Sequence, residues 1–319
     1  MSNSGLGSQG LRTRFCALMK YELLWNIRKK KFIGMVVVAF VLVTLSLALP
    51  VELSGIVGQT VSQDPDYVVR SGAGIGGLGF FLFAMVTVMN SISGEFESGT
   101  IIPLLTKPVS RTIVFLAKLS AAVVTLLPVY GVLYLYLTIG ATVIYGPQSN
   151  LHLVPLSLLG SFMSTLVWMA IVLAVGSVSK SSLLAALVPF GAFIALSISA
   201  PIISLFSGQA WILTYLPGGG VTGYIKGVGA SSPFSPGVSV STGTDSIAAT
   251  IITYVLHPAS EVTFFKIGGL QGGTAASLVE LYSEPLSFVV LRSIAVALAY
   301  VLAFLFISWY SIRRAQVME

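Results

Sequence analysis

"GEFESGTIIPLLTKPVSR", residues 94–111, breaks a chain that otherwise avoids charge. Glu95 and Glu97 follow one long apolar run, and Lys107 and Arg111 precede the next. Of the 319 residues, 55% are hydrophobic and 9% charged, against about 25% charged in a soluble domain. Outward from the segment, uncharged runs occupy 32–51, 71–94, 119–179, 181–225 and 293–312. Each reaches the roughly 20 residues that a helix needs to cross hydrocarbon. The run at 119–179 crosses twice, divided by the turn-rich "YGPQSN" at 145–150. Lipid admits only helices or closed barrels, and the absence of period-two alternation selects helices. The expectation is an all-α integral membrane protein, one transmembrane domain over 1–319, with six spans near 32–49, 72–93, 112–145, 153–179, 182–207 and 286–311.

Charge sets the orientation. With a cytoplasmic N-terminus, 13 of the 17 basic residues fall on the inner side, among them Arg28 to Lys31, Lys107, Arg111, Lys118, Lys180, Arg313 and Arg314. The outer side receives Arg70, Lys226, Lys266 and Arg292 together with seven of the eleven acids. The positive-inside rule therefore puts both termini in the cytoplasm, and a plasma membrane is the expected location. The net charge of +6 reflects this asymmetry and anionic lipid, not nucleic acid, because no basic patch with interleaved aromatics occurs. The apolar stretch within 28–50 exceeds the 7–15 residues of a signal peptide, so it reads as a span.

Ahead of the first span, Leu11, Phe15, Leu18, Met19, Leu23 and Ile27 recur at helical spacing, while Arg12, Lys20, Glu22 and Asn26 occupy other faces. This predicts an amphipathic helix over 11–28 lying in the membrane interface. The "GAGIGGLG" at 72–79 contains a GxGxxG string, but no preceding strand or βαβ unit supports a dinucleotide site. Gly72 and Gly76 are expected instead to give a small-residue helix face for close packing. Pro128 and Pro189 are expected to kink the third and fifth spans. Residues 208–285 form a long outer loop before the last span, Gly/Ser/Pro-rich in the middle, with short apolar stretches at 246–256 and 275–282 expected to lie on or dip into the outer leaflet.

Catalytic groups are missing from the spans. Cys16 is the single cysteine, so no internal disulfide or thiolate cluster forms. His152 and His257 lie at span edges and read as interfacial polar residues. The deep spans hold neither Asp nor Glu, and Lys118 and Arg292 sit near span ends, where they snorkel. No GxxxxGK[ST] loop exists. The chain carries no cofactor or metal site, and energy for uphill movement would come from another polypeptide. An uncharged bundle points to hydrophobic cargo.

Residues 94–107 are expected to form a short helix across the inner face, with Glu95 and Glu97 in its first turn, where negative charge complements the helix dipole. Phe96, Ile101, Leu104 and Leu105 have nothing internal to cover, which points to a partner protein. The other reading is a membrane anchor that does not transport.

Two motifs then carry a resemblance. Lys20-Tyr21-Glu22-Leu23, and the pattern Glu97, Gly99, Thr100, Leu104, Leu105, Pro108, Val109, Ser110, Arg111 and Lys118, resemble a type-2 ABC transporter permease, the membrane subunit of an exporter. The resemblance implies that 94–107 is a coupling helix seated in a separate ATP-binding subunit, which holds ATP and Mg. Its contacts would be Glu95, Phe96, Glu97, Gly99, Thr100, Leu104, Leu105 and Arg111, with Phe15, Lys20, Tyr21 and Glu22 of the interfacial helix contributing. A second permease chain, identical or different, would complete the transporter, and the long outer loop suggests an external partner at 208–285. The chain departs from the family at Ser93-Gly94, where an Arg is common, and at Pro103 inside the expected helix.

Overall fold

Apolar side chains in long uninterrupted runs leave the backbone no partner but itself, so helices dominate. A computed structural model describes residues 4–28, 30–56, 63–99, 110–206, 210–226, 237–267 and 278–314. Helix α1 (Ser4–Arg28) is followed by α2 (Lys30–Ile56), the short α3 (Tyr67–Arg70), α4 (Gly76–Val88) and α5 (Ser93–Glu97). Then come α6 (Arg111–Tyr145), α7 (Val154–Ser179) and α8 (Ser182–Phe206). Strands β1 (Thr222–Lys226) and β2 (Gly237–Ser241), helix α9 (Ile247–Leu256), strands β3 (Glu261–Ile267) and β4 (Leu278–Pro285), and helix α10 (Leu286–Arg314) complete the order. Among the described residues, six helices are long and apolar enough to cross a membrane: α2, α4 with α5, α6, α7, α8 and α10.

The bundle is built around α7. In its most apolar stretch 72% of the residues are buried, against 22% in α2, α8 and α10, which turn most of their surface outward. Small residues at Ser157, Gly160, Ser161, Ser164 and Thr165 let neighbouring helices close on α7. Buried hydroxyls find partners across helices: Tyr134 bonds Ser157 at 2.7 Å and Ser161 at 3.0 Å, and Tyr130 bonds Thr165. Ser157 donates onward to the Val69 carbonyl at 2.7 Å. Helices α6 and α8 each run unbroken through the prolines expected to kink them, Pro128 and Pro189.

Two sequence expectations change. The second span starts at Gly76 and not at Gly72, because Gly72, Ala73, Gly74 and Gly76 adopt φ of +59°, +62°, +69° and +61°. A left-handed run cannot continue an α-helix, so Gly72 and Gly76 do not form the expected packing face. Within 208–285, the described residues hold an antiparallel sheet of order β2-β1-β3-β4 where a long loop with surface-lying apolar stretches was expected. Val262, Phe264, Ile225 and Val240 alternate onto its buried face and pack with Ala200 of α8 and Leu286 and Val289 of α10. The second apolar stretch, expected as a surface element at 275–282, contributes β4, which pairs with β3 from Glu261 opposite Pro285 to Ile267 opposite Leu278, with a one-residue shift of register between Phe264 and Phe265. The first forms α9, which packs against α7.

The entry of α9 depends on Gly160. A Cβ there would stand 2.5 Å from the Ala248 Cα and 2.7 Å from its amide nitrogen. Gly160→Ala should cost about 1–3 kcal/mol, the usual scale of overpacking, and lower the melting temperature of the purified protein. Gly131→Ala, where nothing lies within 4 Å inside α6, should raise it slightly by relieving the glycine entropy cost of about 0.5–1 kcal/mol.

Candidate functional site

The start of α6, the end of α10, α5 and the later part of α1 meet on one face of the bundle, termed here the terminal face. Its centre is Lys118, two turns into α6 and only 5% exposed at the side chain. The ammonium donates to Glu22 Oε1 of α1 at 2.6 Å and to Glu95 Oε1 of α5 at 2.7 Å. One buried cation thereby ties three elements together. Lys118 does not snorkel to solvent, and Glu22 and Asn26 lie on the buried side of α1, while Tyr21, Leu24, Trp25 and Ile27 face outward. The apolar periodicity misassigned this face because a lysine on α6, more than ninety residues away, decides which side of α1 turns in.

Glu97 acts at the opposite edge of α5. Its Oε1 accepts the Ser182 amide at 2.7 Å and its Oε2 accepts the Ser182 hydroxyl, so the carboxylate caps the first residue of α8. Phe96 is half-buried beneath Lys180, whose Nζ stands 5.5 Å from the ring centroid. Arg111 Nη1 donates to the Ile312 and Arg313 carbonyls at 3.3 and 3.0 Å, satisfying the end of α10. The expected helix over 94–107 stops at Glu97, with Ser98 as C-cap and Gly99 at φ +67°, a left-handed turn that ends helices. The rest of that segment, with Thr100, Leu104 and Leu105, lies outside the described residues. Of the interfacial-helix residues, Phe15 is half-buried, while Lys20 and Tyr21 are exposed, Tyr21 stacking on Trp25 with ring centroids 6.4 Å apart.

Tyr21, Glu22, Trp25, Asn90, Glu95, Glu97, Ser98, Lys118 and Ser182 are among the residues lining a cavity of about 810 Å³. Asn90 Oδ1 is buried there with no hydrogen-bond partner among the described residues. Of the five charged residues expected to meet a partner, Glu22, Glu95, Glu97 and Arg111 bond within the chain, and Lys20 is exposed. Outward the face offers the rings of Tyr21 and Trp25 together with the exposed cations Lys20, Lys180, Arg313 and Arg314.

A second site lies toward the sheet, and the sequence concealed it. Asp245 sits in a turn just before α9, and its Oδ1 accepts from Trp168 Nε1 at 2.9 Å. Trp168 is fourteen residues into α7, about 21 Å along it at 1.5 Å per residue. The deep spans lack carboxylates of their own, yet the segment between α8 and α10 carries one down among them. Burial pushes the Asp245 carboxyl up to about 6, against the lowering effect of Trp168 and Thr244. No Lys, Arg or His among the described residues forms an ion pair with it. A Gly/Ser/Pro-rich surround gave no signal for this placement; the one clue was an acid in an otherwise apolar "TDSIAATIITYVL" stretch.

With this geometry in hand, a family comparison is decisive: residues 16–310 match the family model described as ABC-2 family transporter protein. The chain belongs to that family, and it is a multi-pass membrane subunit of the ABC transporter class, whose permeases generally pair with an ABC ATP-binding subunit. No curated protein sequence matches the chain significantly.

Removing the cation while leaving its two carboxylates should be costly. Lys118→Met should destabilise by about 3–5 kcal/mol, the scale for an orphaned buried charge, read as a lower melting temperature. Adding Glu22→Leu and Glu95→Gln should recover much of the loss. For Asp245 the sign is inverted relative to a salt-bridged acid. Its folded value lies above the unfolded one, so its contribution to stability is fully present below pH ~4 and is lost as pH rises through about 6. Asp245→Asn should therefore raise the melting temperature at pH 7.5 and bring little gain at pH 4.5.

Proposed function

We propose that this chain is the permease of an ATP-driven exporter in the plasma membrane, with the terminal face cytoplasmic and seated on a separate ATP-binding subunit. That subunit would supply ATP and Mg, and a second permease chain, of the same or another sequence, would complete the pathway. The observation that carries the reading is the platform itself. Glu22, Lys118 and Glu95 bind α5 to α1 and α6, and Glu97 binds it to the start of α8. A load on Ser98, Gly99 and the exposed rings of Tyr21 and Trp25 would therefore reach a spanning helix directly.

The coupling follows from stiffness. A short helix fixed at both edges cannot absorb a push by rotating alone, so closure of an ATP-bound partner would displace α6 and α8 with it. Positive charge on the terminal face, including Lys180, Arg313 and Arg314, supports its cytoplasmic placement. Thr100, Leu104, Leu105 and Arg111 would extend the contact, with Phe15 and Lys20 flanking it. The segment between α8 and α10 would face outside and could receive an external partner.

The test is purification from native membranes in mild detergent, with mass spectrometry of co-eluting chains and an ATP-hydrolysis assay. A stoichiometric subunit bearing a phosphate-binding loop, with vanadate-sensitive turnover, is the expected outcome. Co-elution with structural or redox subunits and no turnover would make the platform an assembly contact instead. In the active complex, Glu97→Ala should lower stimulated ATP hydrolysis about tenfold, the scale of a 1–3 kcal/mol coupling, without loss of membrane insertion. Gly99→Val, which strains a left-handed position, should act in the same direction.

A further inference from the structure

Between α4, α8 and the sheet lies a cavity of about 670 Å³, within the 300–1,000 Å³ range of small-molecule sites. One face of α8 lines it through Phe193, Leu196, Ser197, Ala200, Pro201 and Ser204, spaced as a single helical stripe. Phe80, Tyr224 and Phe265 add rings from α4 and from two strands. Asp245 is the one acid in this lining. Its carboxylate is set against α4 so closely that a Cβ on Gly77 would stand 2.6 Å from Oδ2. Arg70, also at the cavity, is engaged by Asp64.

We infer that this cavity binds a hydrophobic organic cation, with Asp245 as its counter-charge and the surrounding aromatic rings as its walls. An ionised carboxylate in an apolar setting needs a compensating charge, and no Lys, Arg or His among the described residues forms an ion pair with it. Aromatic faces attract cations and repel anions, so Phe80, Phe193 and Tyr224 favour the same class of ligand, while Phe265 already holds Lys226 Nζ 5.9 Å from its ring centroid. A metal ion fits less well, because among the described residues no three His, Cys, Asp or Glu side chains gather in any one place. The inference names a cargo class and so rests, for its biological meaning, on the transporter reading. The binding event needs only this chain.

The experiment is a fluorescence anisotropy titration of the purified full chain in detergent at pH 7.5, with the cationic dye rhodamine 6G and the neutral dye Nile red. Asp245→Asn keeps an acceptor for Trp168 and removes only the charge. It should weaken rhodamine 6G at least tenfold and change Nile red less than twofold, while Asp245→Glu should retain most of the cation affinity. Ser197→Trp, which fills the cavity from α8, should weaken both dyes. Equal rhodamine 6G affinity in wild type and Asp245→Asn, or an equal loss for both dyes, overturns the proposal. Because no ATP-binding subunit is present, failure here is separate from failure of the exporter assay. Displacement of the dye by added phosphatidylethanolamine would identify a lipid amine as the cation, and no displacement a free amphiphile; the site assignment holds in either case.

Discussion

In hydrocarbon a polar group finds no water, so each one must be answered from within the chain or remain uncharged. That constraint organises this protein. Lys118 is answered by Glu22 and Glu95, Tyr134 by Ser157 and Ser161, and Tyr136 by Thr44 at 2.9 Å. Apolar packing among lipid-facing helices is non-specific, since lipid tails are as apolar as leucine. The few polar pairs, together with the small residues of α7, therefore select which helices touch and in what register.

The same constraint joins the two ends of the molecule through one helix. At the terminal face, Glu97 caps α8 at Ser182. Farther along, the stripe from Phe193 to Ser204 walls the cavity that holds Asp245. Beneath that cavity, Phe81, Trp168 and Phe193 interlock, with ring centroids 5.0 to 5.4 Å apart. A displacement of α5 thus bears on a rigid aromatic contact and on the cavity wall together.

Much of the architecture could be read directly. Five uncharged runs, one long enough to cross twice, led to a helical membrane protein, and two short motifs led to its family. The reading went astray where distant residues decided the outcome. Glu22 looked like part of a solvated face until Lys118 claimed it. Gly72 and Gly76 looked like a packing face, but their backbone is left-handed, with φ of +59° and +61°. The strands were hidden because each pairs across a gap that only folding closes, β1 with β3 and β3 with β4.

The sequence by itself determined the class of element and its solvent: hydrophobic run length sets spanning helices, because backbone hydrogen bonds in lipid must be local. Only the tertiary structure decided where charge is stored. Burying Lys118 or Asp245 is tolerable solely where particular partners converge, Glu22 and Glu95 on one and Trp168 on the other. Such convergence is a property of three-dimensional proximity, and no local pattern encodes it.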